Sequence, residues 1–319
     1  MSSPRSLLPL VPLLPLLLAA APAAPGPAPL PFTLHSLGHG VYAAIDVDGQ
    51  AGANAGFVIG DDAVAVVDTF QRPAAAAALL KAIREKTSLP IRFVINTHYH
   101  IDHVFGNRTF HDQGAVVLAQ RNVRAWIHTE NLKFFGKEIP ADKKAMVENL
   151  YAPDVVYDDG VRLYLGASQQ LVVQSHPGHT GGDSIVIVPG AGVVFCGDLF
   201  WRKTLPNMID ATVGDWIPTL DGFRQLPGAS GLTYVPGHGD VGTAADVAEF
   251  RGYLSDLRSM VEGAVKDGAE GDALEQALMP GLQAKYGSWG FFKYFAKPDL
   301  QFMAAELRGT KTVPKPPVD

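Results

Sequence analysis

The sequence predicts an α/β (α+β) fold in which two mixed β-sheets pack face to face with helices outside. Three observations carry this expectation. Strand signals interrupted by helices run through the chain in two halves. The 33 Gly and 24 Pro among 319 residues imply many turns and argue against a helical bundle or coiled coil. A hydrophobic content of 47% against 18% charged is enough to fill a sizeable core, which excludes disorder, a collagen-like repeat and a disulfide mini-scaffold.

The first stretch stands apart from the fold. Arg5 precedes an apolar run over residues 7–21, broken only by prolines, and Ala21-Pro22-Ala23 has the small-x-small form of a cleavage site. Residues 1–23 are therefore expected to be an export signal, which places the protein in the periplasm or outside the cell. The run is short and Pro-interrupted for a spanning helix, an uncleaved anchor being the alternative. Residues 24–31, rich in Pro and Ala, read as a lead-in. One domain is expected over 32–309, helical from about 243, with a tail over 310–319. The net charge of −6 gives no footprint for nucleic acid. Cys196 is the only cysteine, so no intrachain disulfide can form.

Within the domain, residues 33–48 and 54–69 cluster β-formers, with Gly60-Asp61-Asp62 as a hairpin turn. Pro73 occupies the first turn of a helix that sets Leu79, Leu80 and Ile83 on one face and ends near Lys86. Residues 91–96 form a short apolar run after Pro90, as for a strand buried on both faces, and deliver Thr97 and His98 to its end. A strand over 115–118, a helix near 122–129 and a Lys-rich surface helix through Asn149 follow. Further strand signals lie at 161–165, 171–174, 184–188, 193–196 and 232–235. Thr243 with Asp246 forms a capping box, and Val247, Phe250, Leu254, Leu257, Val261 and Ala264 keep helix period.

The most informative string is His98-Tyr99-His100-Ile101-Asp102-His103. In extended chain, residues two apart point the same way, so His98 and His100 can share one metal while Asp102 and His103 turn toward a second. Imidazole and carboxylate at this spacing suit zinc. Three further ligand candidates each follow a strand signal at a glycine-marked turn: His179 in Pro177-Gly178-His179, Asp198 in Cys196-Gly197-Asp198, and His238 in Pro236-Gly237-His238. Ligands on turns held by rigid strands are what a preorganised site requires.

With these residues in place, the chain resembles the metallo-β-lactamase-fold hydrolase superfamily over nearly the whole domain. Asp68 matches its first motif, the histidine string the second, His179 the third, Asp198 the fourth and His238 the fifth. The resemblance implies an αββα sandwich with the site at one edge between the sheets, and two zinc ions per chain. His98, His100 and His179 would hold one ion, Asp102, His103 and His238 the other, and Asp198 would bridge them. It further implies a hydrolase in which a hydroxide attacks an acyl carbon and the leaving group takes a proton supplied through Asp102 or a metal-bound water. Asp68, Thr180 and Asp183 are candidates to hold the second nitrogens of the histidine ligands. Cys196 is expected to be a buried apolar residue rather than a ligand.

The expected substrate is a small acyl compound: a lactone, ester, thioester or β-lactam. The glutathione thioesterase branch resembles this chain at Asp198 but carries a Cys-Gly-His-Glu turn where Val235-Pro236-Gly237-His238-Gly239 stands. The β-lactamase branch with a histidine-rich second site shares His103 but lacks a bridging carboxylate, so Asp198 weighs against a dedicated β-lactamase. Another branch implies a different class: a single iron held by two histidines and an aspartate, oxidising persulfides. The 200–216 segment is long enough to overhang the metals, with Arg202, Lys203 and Asn207 as candidate substrate contacts, the two basic residues toward a carboxylate. The aromatic group Tyr286, Trp289, Phe291, Phe292, Tyr294 and Phe295 reads either as core or as a pocket wall.

Overall fold

The computed structural model describes residues 29–317; the expected signal over 1–23 and most of the lead-in over 24–31 lie outside the described residues. Strands β1 (Phe32–Gly38), β2 (Val41–Asp46), β3 (Ala55–Ile59), β4 (Val64–Val67), β5 (Ile91–Ile95), β6 (Val116–Gln120) and β7 (Val155–Tyr157) form one sheet in chain order. It is an antiparallel meander as far as β4 and parallel from β4 to β7. Strands β8 (Gly160–Tyr164), β9 (Gln170–Ser175), β10 (Ser184–Val188), β11 (Val193–Trp201) and β12 (Thr233–His238) form the second, in the order β12-β11-β10-β9-β8. Its strands are antiparallel except for the β11–β12 pair. Both sheets are thus mixed, as expected.

Alternation along each strand sorts side chains into layers. In β4, Ala65 and Val67 face the second sheet and meet Leu171, Val186 and Phe195. Val64 and Val66 face outward, where Leu79 and Ile83 of the Pro73–Lys86 helix cover them. On the other side, Val193 and Phe195 face inward while Val194 and Cys196 meet Phe250, Leu254 and Leu257 of the Ala244–Lys266 helix. Each fully buried side chain of this kind contributes roughly 1.5–3 kcal/mol of burial free energy, and the three apolar layers fix the two sheets against each other. The αββα sandwich is therefore written into the strand period.

Three local features go beyond the sequence expectation. The first β-rich stretch breaks into two strands at His39 and Gly40, both at positive φ. The Lys-rich segment holds a 3₁₀ helix, Glu130–Phe135, ahead of the Ala141–Glu148 helix. At the C-terminal end the capping box of Thr243 and Asp246 is present, and two more helices follow, Gly271–Tyr286 and Phe292–Leu307. The Phe292–Leu307 helix pins the loop after β11, where Asp299 accepts the Met208 N–H at 3.3 Å and the Tyr253 hydroxyl at 3.2 Å. The segment after it lies against the same loop, with Lys311 Nζ donating to the Met208 carbonyl at 2.7 Å. Among the described residues no helix is long and apolar enough to cross a membrane.

Candidate active site

All seven candidate ligands of the sequence come together at one edge of the sandwich. Thr97 and the histidine string follow β5, Asp68 follows β4, Asp198 lies on β11, His238 closes β12, and His179 sits on the turn before β10. They fall into two groups whose candidate ligand atoms lie within 4.8 Å of one another: His98, His100, His179 and Asp198, and Asp102, His103 and His238. Asp198 faces both. Its Oδ2 is 3.2 Å from His179 Nε2 and 3.7 Å from His98 Nε2, while its Oδ1 is 3.1 Å from His103 Nε2 and 3.6 Å from His238 Nε2. Asp102 Oδ2 lies 3.3 Å from His238 Nε2 and 3.7 Å from His103 Nε2.

Two glycines make this approach possible. A Cβ at Gly237 would stand 1.8 Å from Asp198 Oδ1, so only glycine lets the β12 turn close over that carboxylate. Gly197 holds φ 50, where its missing Cβ would meet Thr97 Oγ1 at 2.4 Å. That residue also breaks the β11 register, which explains why Cys196 and Asp198, two apart, do not share an environment. Cys196 packs into the outer apolar layer and Asp198 turns to the site. Burial pushes the Cys196 thiol far above its usual pKa. On the facing sheet Asn54 Nδ2 donates to the carbonyls of Pro236 and Gly239 at 3.0 and 2.8 Å, tying the His238 turn to β3.

The charges are arranged for cation binding. Burial alone would raise Asp198, but His103, His238, His98 and His179 pull it well below the carboxylate range. Burial lowers His98 well below the usual imidazole value and brings His179 to about 3, so both present neutral rings, the form that ligates metal. For His238 burial acts downward, yet Asp198 and Asp102 raise it to about 9. His98 Nε2, His103 Nε2, His238 Nε2 and Asp198 Oδ1 are buried with no hydrogen-bond partner among the described residues. Each such atom costs about 1–3 kcal/mol if left unsatisfied. Tetrahedral bonds of about 2.0–2.1 Å to nitrogen place neighbouring ligand atoms roughly 3.3 Å apart, close to the 3.0 Å between His179 Nε2 and His100 Nδ1 and the 3.2 Å from His179 to Asp198. The residues fit a pair of metal ions.

The groups that orient the ligands differ in part from expectation. Asp68 Oδ2 lies 2.8 Å from His103 Nδ1 and also accepts the Thr97 hydroxyl at 2.7 Å, while Oδ1 takes the Thr97 N–H. Thr180 and Asp183 do not reach an imidazole nitrogen. Asp183 accepts the Thr180 N–H at 2.7 Å and its hydroxyl at 2.5 Å, closing the turn that presents His179, because a hydroxyl three residues from a carboxylate finds its partner locally. The residue that sequence reasoning missed is Asp210. Its Oδ2 is 3.1 Å from His100 Nε2 and accepts the Tyr99 hydroxyl, and its Oδ1 accepts from Lys133. His100 thereby presents Nδ1 to the site. An acid set directly among Met208, Ile209 and Ala211 was the available signal.

Asp210→Ala should weaken metal affinity or turnover by roughly 10–100-fold, the usual worth of a group that orients a ligating histidine. Asp210→Asn should recover part of it by keeping an acceptor for His100. Metal titration of both variants, checked against wild-type circular dichroism, tests this; unchanged affinity in Asp210→Ala would remove Asp210 from the support of His100.

A cavity of about 500 Å³ opens over the two groups, with His100, Asp102, Asp198 and His238 in its floor. Asn207 lines it, whereas Arg202 and Lys203 do not. Arg202 Nε donates to Asp246 at 2.9 Å and Lys203 pairs with Glu249, so the start of the Ala244–Lys266 helix neutralises both. The loop after β11 stands beside the site with Leu205 and Met208 buried beneath it. The aromatic group divides: Tyr286, Trp289 and Phe292 are core, while Phe291, Tyr294 and Phe295 wall the cavity. Trp201 stacks on His238 with ring centroids 4.0 Å apart.

A sandwich of this order with two ligand groups sharing one carboxylate at the sheet edge defines a candidate metal centre of the αββα type. The chain belongs to the metallo-beta-lactamase superfamily, whose family model matches residues 48–238. Among curated relatives it is 29% identical over 177 residues to a hydroxyacylglutathione hydrolase of Gloeobacter violaceus, covering 54% of this chain and 59% of that one. It is 27% identical over 181 residues to the hydroxyacylglutathione hydrolase of Brucella ovis, covering 56% and 60%. The chain thus spans about six-tenths of the length of these relatives. A solved metallo-beta-lactamase from Pontibacter korlensis superposes with TM-score 0.59 at 22% identity, covering 70% of this chain and 99% of that one, which shows the shared fold.

Proposed function

We propose that the protein is an exported, zinc-dependent hydrolase of small acyl compounds, with a dinuclear site bridged by Asp198. The observation that carries this reading is the division of Asp198 between two histidine groups, Oδ2 toward His98 and His179 and Oδ1 toward His103 and His238. His98, His100 and His179 would hold one ion and Asp102, His103 and His238 the other. Two divalent ions so held would supply Lewis acidity toward an acyl oxygen and would lower the pKa of a water to about 7. The names of the curated relatives point the same way, toward hydrolysis of an acyl bond.

The chain's own groups do the rest. Asp102 faces the cavity and stands where a proton from the attacking water can be received and handed to a leaving group. Asn207 accepts the Ile209 N–H with Oδ1 at 3.1 Å, which leaves its amide donors for a substrate carbonyl. Asp68 and Asp210 hold His103 and His100 in the ring orientations the site needs.

Protein purified from zinc-supplemented culture should contain close to two zinc ions per chain, hydrolyse activated acyl substrates, and lose activity to a chelator with recovery on zinc addition. Elemental analysis beside a panel of chromogenic esters, thioesters, lactones and a β-lactam checks this. One tightly held iron with oxygen uptake on persulfide would overturn it in favour of oxygen chemistry.

A further inference from the structure

The walls of the cavity carry information about the substrate that its floor does not. Phe134 and Phe135 enter from the Glu130–Phe135 3₁₀ helix, Trp201 from β11, and Phe291, Tyr294 and Phe295 from the start of the Phe292–Leu307 helix. Three segments far apart in the chain therefore converge to present aromatic faces. Phe134 meets His100 edge-on at 5.0 Å between centroids, and Phe291 meets His238 at 5.8 Å, so the rings begin directly beside the candidate ligands. Tyr294 at the mouth is 72% exposed. Phe291 holds φ 58, a left-handed conformation rare for a bulky residue and found where side-chain placement is constrained.

No lysine or arginine is among the described residues that line this cavity. Of the basic residues next in sequence to its walls, Arg202 pairs with Asp246, Lys203 with Glu249 and Lys133 with Asp210 and Glu130, Arg72 donates to the Gly49 carbonyl, and the exposed Lys293 lines a separate depression with Trp289 and Phe292. Against the aromatic walls a carboxylate carried away from the scissile bond would have no cation to pair with, and only the neutral amides of Gln71 and Asn207 could offset part of its desolvation. An aryl or alkyl group in the same place gains from leaving water.

We infer that this site selects neutral esters or lactones bearing an apolar aryl or alkyl group and discriminates against acyl compounds with a remote carboxylate, glutathione thioesters included. The inference rests on the hydrolase reading above and narrows its substrate class. The reaction is a balanced hydrolysis. Water adds to the acyl carbon, the acyl–oxygen bond breaks with its electron pair on the departing oxygen, and that oxygen takes the proton relayed by Asp102. Ester plus water becomes acid plus alcohol, or a lactone becomes its hydroxy acid, with no change in oxidation state.

The test pairs substrates of matched size. On zinc-loaded protein, kcat/KM for 4-nitrophenyl pentanoate should exceed that for 4-nitrophenyl hemisuccinate by on the order of tenfold or more, and S-lactoylglutathione should be poorer still, as expected for an unpaired buried charge. Tyr294→Ser and Phe134→Ser should raise KM for the pentanoate by on the order of tenfold, the loss of one ring contact. A second measurement does not need turnover: octanophenone, a neutral ketone, should quench tryptophan fluorescence of the metal-free protein, 3-benzoylpropionate should bind more weakly, and both serine variants should weaken the ketone. Hydrolysis with the hemisuccinate or the glutathione thioester preferred overturns the inference and leaves the hydrolase reading standing. No hydrolysis, with ring-dependent ketone binding intact, overturns the hydrolase reading and supports the neutral pocket. Neither hydrolysis nor ketone binding overturns both.

Discussion

Asp198→Ala should empty both halves of the proposed metal site, with metal content falling toward zero and hydrolysis by far more than the roughly 10–100-fold that a supporting hydrogen bond is worth. The reason is geometric. This one carboxylate, 2% exposed, offers Oδ2 to one histidine group and Oδ1 to the other, so its removal would take a ligand from each ion of the proposed pair together with the negative charge that both would share. Two cations brought close together repel strongly in a buried site unless an anion separates them. The control is Cys196→Ala, one strand turn away. That thiol sits in the outer apolar layer with Val194 and Tyr234, and its loss leaves a small cavity costing on the order of 1 kcal/mol with metal content unchanged. Elemental analysis at equal folded fraction separates the two. If Cys196→Ala strips metal and Asp198→Ala does not, the assignment of the β11 turn is wrong.

The contrast between those neighbours also shows where local sequence stops informing. Strand period puts Cys196 and Asp198 on one face, and only the positive φ of Gly197 separates them. Much of what the backbone expresses locally was legible: the period-2 layers, the proline-started helix at Pro73, the capping box at Thr243, and ligand residues beside glycine turns at strand ends. Pairing over long range was not legible. Asp210 finds His100 across 110 residues, and Arg202 finds Asp246 across 44; no spacing rule encodes either. Where a short-range partner existed it won, and so Asp183 closes its own turn with Thr180 instead of holding a histidine. The Lys-rich stretch reads as a surface helix because its charges dominate the pattern, yet Phe134 and Phe135 within it line the cavity.

Asp102 carries the second large effect, and its exposure distinguishes it from Asp198. Its side chain is 23% exposed against 2% for Asp198, and it lines the cavity floor. A carboxylate in that place touches both the His103–His238 group and any substrate above it. Burial would raise its pKa, but His103 and His238 bring it below the usual value, so it is ionised and able to receive a proton during turnover. Asp102→Asn keeps the size and one oxygen for coordination while removing the charge and the proton acceptor. Metal content should largely persist, and turnover on an activated ester or lactone should fall by roughly 10² to 10⁴, the range of a general acid–base group. A purely structural role predicts the reverse, a lowered melting temperature with turnover nearly intact. The short Ile101–Val104 helix has His100 at its N-cap and no side-chain capping bond, so Asp102 does not cap it through a hydrogen bond. Metal analysis, thermal unfolding and kcat on the same preparation therefore decide the matter, and near-native turnover with a lowered melting temperature would remove Asp102 from the chemistry.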